Sequence, residues 1–317
     1  MPIEAHDSGT DKTVQGLWAR ESGTDKEVQE VIVNDSGTDK TVFTAGSGID
    51  AWGSDSDGQV SDAPSSGNFT AFDGGKEHVL ALDKNGEITS WGNGSNGKVS
   101  DTPTGSNFTK IDAGGEHSYA LDGNGEISAW GRDSVGQVSN APTGSGFTEI
   151  AGGEFYGLAL DGNGEISAWG GDFFNQVSNA PTSSGFTEIA SGDAHGIALN
   201  GNGEITTWGS DSDGQVSNAP TSSGFTQIDA GGNNSYALNG NGEITAWGRD
   251  VSNQVSDAPT GSGFTKIAAG GFHALVLDGN GEITAWGTDG DGQVSDTPTD
   301  SGFTVIAGGV STSFAVK

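Results

Sequence analysis

Residues 114–151 read GGEHSYALDGNGEISAWGRDSVGQVSNAPTGSGFTEIA, and near-copies of this stretch recur along the chain at a fixed distance. The dipeptide Trp-Gly begins at Trp52, Trp91, Trp130, Trp169, Trp208, Trp247 and Trp286, always 39 residues apart. The prolines from Pro64 to Pro298 and the Phe-Thr pairs from Phe69 to Phe303 keep the same spacing. A strict period of this length points to a repeat architecture, in which each unit is one supersecondary element.

Within a unit the apolar or β-branched runs SYAL, EISAW, QVS and FTEIA are separated by Gly, Asn, Asp, Pro and Ser, and they read as strands. DGNGE between the first two supplies the residues that tolerate positive φ in a tight hairpin. Four short strands in roughly 40 to 45 residues describe a propeller blade. No stretch has the apolar periodicity of an amphipathic helix, which disfavours a helical solenoid.

Residues 45–317 number 273, seven times 39. The final strand SFAVK lacks a hairpin partner in its own unit, and GSGIDAW at the start of the array is that partner. The prediction is an all-β chain: a seven-bladed β-propeller over 45–317, closed by strand exchange between its N- and C-terminal ends, preceded by a small β-meander. Such closure leaves no exposed strand edge to aggregate. In the leading module, residues 1–44, SGTDK recurs at Ser8, Ser22 and Ser36 between the β-favouring runs TVQGLWAR, EVQEVIV and TVF. A sheet this small buries too little to stand alone, so residues 1–44 are expected to serve attachment or oligomerisation.

The chain carries 43 acidic and 12 basic residues, a formal charge of -31. Self-repulsion of this size destabilises a compact fold, and molar salt, with a Debye length of about 3 Å, screens it. A halophilic origin is the expectation. Nucleic acid is excluded as a partner because phosphate binding needs a basic face, and Arg132 and Arg249 are the only arginines of residues 45–317. Cysteine is absent, so disulfides and thiolate chemistry are too. No long apolar segment suggests membrane insertion, and MPIEAHDSGT has no signal-peptide character. The chain is expected in the cytoplasm, or outside by another route such as a virus particle.

Gly114 to Val138 closely matches the pattern G-x-x-H-x-x-A-L-x-x-x-G-x-[VI]-x-x-W-G-x-N-x-x-G-Q-[LV], with Asp133 in place of its Asn, and the array resembles the regulator of chromosome condensation family. That resemblance implies a propeller. The founding members act on a small GTPase and chromatin, but the basic and long-loop features of those roles are missing here. Relatives include protein inhibitors and other binding proteins, so the fold alone selects no function. EVQEVIVNDSGTDKTVF resembles the short tandem β-repeats near the ends of minor tail proteins of tailed viruses, with Ser-Gly in place of Gly-Gly.

His78, His117, His195 and His273 share one phase of the repeat, with Tyr156, Asn234 and Thr312 at the equivalent places. Ring symmetry holds such positions apart, so they read as structural, not as metal ligands. The seven Trp read as blade packing. Asp-x-Asp-Gly at Asp55, Asp211 and Asp289 lacks the remainder of a calcium loop and reads as a solvated turn. The recurrent Glu87, Glu126, Glu165, Glu204, Glu243 and Glu282 cannot form the unequal carboxylate pair of acid–base catalysis. No enzyme, metal or cofactor is expected.

Function is sought where the repeats differ. The loops after Trp-Gly read RDSVG, GDFFN and RDVSN in three units, and the segment before the His phase reads GEFY and GGFH in two. Phe173, Phe174, Phe155, Tyr156, Arg132, Arg249 and Phe272 are the candidate receptor contacts, aromatics and arginines being common interface anchors. The expectation is a virion tail-associated structural protein, a tail fibre or receptor-binding protein. Residues 1–44 would join tail or baseplate proteins as a homo-oligomer, for instance a trimer, and the propeller would present its loops to a host surface glycoprotein or glycan. The alternative is a cellular or secreted binding module, extracellular, such as an adhesin, lectin or protein inhibitor of a halophile.

Overall fold

In the computed structural model, residues 49–317 and the strand segments 31–35 and 38–43 are described. Residues 49–317 form seven three-stranded antiparallel sheets. Six are built from consecutive strands and are numbered here as blades 1 to 6, their first strands beginning at Phe69, Phe108, Phe147, Phe186, Phe225 and Phe264. Blade 3, for example, pairs Phe147–Gly152 with Tyr156–Asp161 and the latter with Ile166–Gly170. In blade 7, Val305–Gly308 pairs with Thr312–Val316, whose other edge takes Asp50–Gly53, with Thr312 opposite Gly53 and Ala315 opposite Asp50. The fold is a β-propeller. Ahead of it, Val31–Asp35 and Thr38–Phe43 pair as an antiparallel hairpin. The rest of the expected meander, and any oligomer made through it, lies outside the described residues.

Sequence dictates each blade locally. In the hairpin between the second and third strands of blade 2, the Asp122 carboxylate accepts the N–H groups of Asn124 and Glu126, both at 2.8 Å. Gly125 sits at φ +74°, open to glycine without steric cost. At the start of the blade 3 inner strand the register slips between Phe147 and Glu149. Thr148, in the bulge, donates its hydroxyl to the Leu160 carbonyl at 3.2 Å. The middle strand, Tyr156–Asp161, is buried from Tyr156 to Leu160, so it reads as a continuous apolar run and not as an alternation.

The core lies between blades. Leu158 and Leu160 of blade 3 pack with Phe186, Ile189 and Trp208 of blade 4, and full burial of one such side chain contributes about 1.5–3 kcal/mol. Each repeat Trp also hydrogen-bonds backward. Trp169 Nε1 donates to the Gln137 carbonyl at 3.0 Å and Trp208 Nε1 to that of Gln176 at 2.9 Å. The pattern includes Trp52 to Gln293 at 2.9 Å and Trp91 to Gln59 at 2.8 Å, the two bonds that flank blade 7.

One expectation is corrected. The QVS segments form turns, not fourth strands. In the loop after Trp52, Asp55 Oδ1 accepts the N–H groups of Val60 and Ser61, each at 2.9 Å, and Gln59 Oε1 accepts that of Asp57 at 2.9 Å. Local side chains thus satisfy the amides that a ladder would have used. The same bonds occupy the Asp of the Asp-x-Asp-Gly motifs. After Trp91 the pattern breaks: Lys98 replaces the Gln, is fully buried, and reaches Glu77 at 3.4 Å.

The first strands face a common axis and approach closely at their ends. A Cβ on Gly74 of blade 1 would stand 2.5 Å from Gly309 Cα of blade 7, and one on Gly231 of blade 5 would stand 2.2 Å from the Gly270 carbonyl oxygen of blade 6. Only glycine allows such contact.

Candidate functional site

Antiparallel order puts two kinds of loop at each rim of the propeller. At one rim lie the connections between first and second strands together with the turns after Trp-Gly. At the opposite rim lie the Asp-x-Asn-Gly hairpins and the Pro-containing segments. Large exposed hydrophobic residues among those described are Phe173, Phe174, Val251 and Phe272, with 63%, 53%, 69% and 38% of their surface accessible. All four belong to the first rim, the variable one.

Phe173 and Phe174 project from a braced turn. Asp172 Oδ1 accepts the Val177 and Ser178 amides at 2.8 and 3.1 Å, and Gln176 Oε1 accepts the Phe174 amide at 2.8 Å. Phe173 packs edge-to-face on Phe155, with centroids 5.9 Å apart and rings at 87°. On the Phe155 ring sits the Arg132 guanidinium, 5.9 Å from the centroid. Arg132 also donates to Glu116 at 2.8 Å, and this bond holds the Glu116 carboxyl below its usual range. Glu116, Arg132, Phe155 and Phe173 thus form one chain of contacts from blade 2 to blade 3.

Arg249 and Phe272 stand 117 residues, three repeats, beyond Arg132 and Phe155, so they occupy the same phase at the junction of blades 5 and 6. Arg249 is half-buried and its Nε is buried without a hydrogen-bond partner. Val251, in the phase of Phe173, was not singled out from sequence, although an apolar residue where most repeats have Ser is a readable signal. Tyr156 is withdrawn from the contact set. It is fully buried, and its hydroxyl donates to the His195 carbonyl at 2.5 Å.

The histidines join blades. His78, His195 and His273 place Nε2 2.8 Å from the hydroxyls of Ser118, Ser235 and Ser313 in the next blade. Burial pushes them down to about 3, 4 and 4, so at neutral pH they are uncharged. His117, also pushed to about 4 by burial, finds Gly157 where a Ser would stand, and neither ring nitrogen has a partner. That same junction of blades 2 and 3 carries the Arg132–Phe155 contact and the bond from Trp169 to Gln137.

Along the axis, the inner strands of all seven blades line a cavity of about 370 Å³. Its carboxylates were not singled out from sequence. Asp73, Asp112 and Asp229 accept the amides of Ala113, Gly152 and Ala269 in the following blade at 2.5, 2.6 and 2.8 Å. Burial raises all three, Asp229 to about 6, and Asp73 pushes Asp112 further. Glu188 is raised to about 8 by burial, with Asp229 and Glu149 adding to it. Asp193, beside Glu154 at the variable rim, is raised to about 6, again by burial first and then by that neighbour's charge. Lys110 pairs with Glu149. Among the described residues no group of three or more His, Asp or Glu side chains is placed to hold a metal ion.

The regulator of chromosome condensation (RCC1) repeat matches at residues 108–137, 186–215 and 264–293. Prp20p from Saccharomyces cerevisiae, described by its binding to Gsp1p and histones, superposes with a TM-score of 0.68 at 20% identity, over 84% of this chain and 90% of that one. The ectodomain of the receptor kinase CR4 from Physcomitrella patens gives 0.63 at 20% identity, over 77% and 68%. Human WBSCR16 gives 0.64 at 17%, over 79% and 86%. No curated protein sequence matches the chain. Repeat and superposition together make this an RCC1-like β-propeller.

Proposed function

We propose that this RCC1-like β-propeller is a non-catalytic binding module that docks a protein or glycan through its variable rim, with Phe173 and Phe174 as the central anchors. The observation that carries this reading is the exposure of Phe173 and Phe174 side by side on one turn, with Val251 and Phe272 exposed on the same rim at blades 5 and 6. Exposed apolar side chains on a braced turn lose little freedom on binding and gain by desolvation. Arg132, paired with Glu116, and Phe155 stack across a blade junction and support the turn. Propellers of similar fold that bind Gsp1p, histones or Kap60 support a binding role in general. The ring is taken as seven blades closed at blade 7, a reading supported by the pairing of Thr312–Val316 with Asp50–Gly53 and by the flanking Trp52 and Trp91 bonds.

The decisive experiment compares the chain with its Phe173→Ala, Phe174→Ala double variant in pull-down from host-cell envelope extracts and in binding to whole cells. Retention of binding by a folded double variant would sink the proposal. A truncation of one hot-spot aromatic typically costs about 2 kcal/mol or more, a loss of roughly thirtyfold in affinity.

The finer reading is a tail-associated receptor-binding protein of a virus that infects a salt-loving host. It rests on the SGTDK repeats of residues 1–44 and on the charge of -31. In this reading residues 1–44 join the tail as a homo-oligomer and the rim meets a host surface glycoprotein or glycan. Absence of the chain from the proteome of purified particles would refute it and leave the extracellular binding module standing.

A further inference from the structure

Four Asn-x-Ser/Thr triplets fall within residues 49–317: Asn68-Phe69-Thr70, Asn93-Gly94-Ser95, Asn107-Phe108-Thr109 and Asn233-Asn234-Ser235. The fold treats them differently. Asn93 is half-buried, donates its amide to Asp57 Oδ1 at 3.1 Å and accepts the Ser95 N–H at 2.9 Å. In the last triplet Ser235 is fully buried and its hydroxyl is held by His195. Both are closed to an enzyme. Asn68 and Asn107, by contrast, are exposed, as are Thr70 and Thr109.

These two asparagines share one phase of the repeat, on neighbouring blades, at the rim opposite the aromatic patch. The other repeats have Gly146, Gly185, Gly224, Gly263 and Gly302 at this place, with φ between +90° and +94°. A Cβ added at any of the five would meet nothing within 4 Å, whereas the Asn107 carboxamide lies over Gly123, where an added Cβ would stand 2.9 Å from its Oδ1. Asn107 keeps the same backbone, at φ +95°, a conformation that costs a side-chain-bearing residue free energy which glycine avoids. What the two asparagines share is exposure at this rim, with Asn68 outside the positive-φ backbone that Asn107 keeps.

We propose, resting on the reading of this chain as an extracellular binding module, that Asn68 and Asn107 are acceptors for N-linked glycan, the modification that an exposed Asn-x-Thr triplet takes in a secreted chain. The donor is a sugar chain linked through its anomeric carbon to a polyprenyl phosphate or diphosphate. In the transfer the bond from that carbon to the lipid phosphate oxygen breaks and the oxygen leaves with the electron pair. A bond from the same carbon to Asn Nδ2 forms, and one amide proton passes to a base of the transferring enzyme. Both sugars would project from the rim away from Phe173 and Phe174, leaving the docking patch clear.

The test is glycopeptide mass spectrometry on the full chain purified from its native source. Expected are sugar adducts on the peptides of Asn68 and Asn107, with Asn93 and Asn233 bare. Asn107→Gly, which restores the residue of five other repeats, should abolish one adduct without unfolding the protein, and Asn68→Gln should abolish the other. Bare peptides at both Asn68 and Asn107 would overturn the proposal. So would adducts on Asn93 or Asn233 of the folded chain, since accessibility would then not decide the site.

Discussion

Replacing His195 by Asn, the residue that blade 5 carries at the same phase as Asn234, isolates one pH-sensitive group. His195 is fully buried and burial alone lowers it from 6.5 to about 4. In the unfolded chain the imidazole takes a proton as pH falls below about 6.5, whereas in the folded chain it resists until about 4. The unfolded state therefore binds more protons in this window, and the folded state loses stability as pH falls. The contribution of His195 is fully present above the unfolded value and is lost towards the folded one, about 3 kcal/mol in all at 1.36 kcal/mol per unit. His195→Asn lacks this loss. At about pH 7.5 the variant should be less stable by about 1 kcal/mol, through the missing Ser235 hydrogen bond. At about pH 4 it should equal or exceed the parent. Denaturant titrations followed by Trp fluorescence, at one salt concentration, read both free energies. The raised carboxylates of the cavity act equally in both proteins and cancel in the difference. Parallel stability curves for parent and variant across this range would refute the account of a buried, neutral histidine.

Other outcomes follow from the same structure. Glu188, raised to about 8, costs folded stability as pH climbs from about 4.5 to 8, because the unfolded carboxyl ionises first. Glu188→Gln should gain on the parent over that range and not below it, as measured by thermal melts at each pH. Trp52→Phe removes the donor to Gln293 and should lower stability by about 1–3 kcal/mol, read by denaturant titration. An equal cost for Trp208→Phe would mark blade 7 as no weaker than the covalently continuous blades. Melting temperature should rise steeply from low to molar salt, given the charge of -31; a flat response in calorimetry would count against halophilic adaptation.

The phase of Trp-Gly and Phe-Thr made the blades legible, because packing and turn chemistry repeat with the residues that cause them. The QVS segments misled for a definable reason: their β-favouring residues sit beside Asp55 and Gln59, whose side chains take the amides first. Phe173 and Phe174 could be read as exposed because they interrupt a polar turn. Tyr156 was drawn into the contact set by its neighbours Glu154 and Phe155, although it shares the phase of His117 and His195, which reads as structural and faces the next blade. The carboxylates of the cavity were hidden for another cause. Asp73 and Ala151 occupy one phase of the repeat, and the difference gains meaning only when the strands converge on an axis.

Convergence at Gly74 and Gly231 carries a geometric consequence. Each blade is a wedge, and the thickness of its thin edge fixes the angle to the next. With hydrogen atoms where methyl groups would stand, the angle is wide, and few wedges complete a circle. The phase of Gly74 carries Ala113, Ser191, Ala230 and Ala269 in other repeats, whereas that of Gly231 is glycine in all seven, so it is the second phase that holds the thin edge of every wedge. A methyl group at any one of those seven glycines would widen a single wedge and strain the closure of the whole circle.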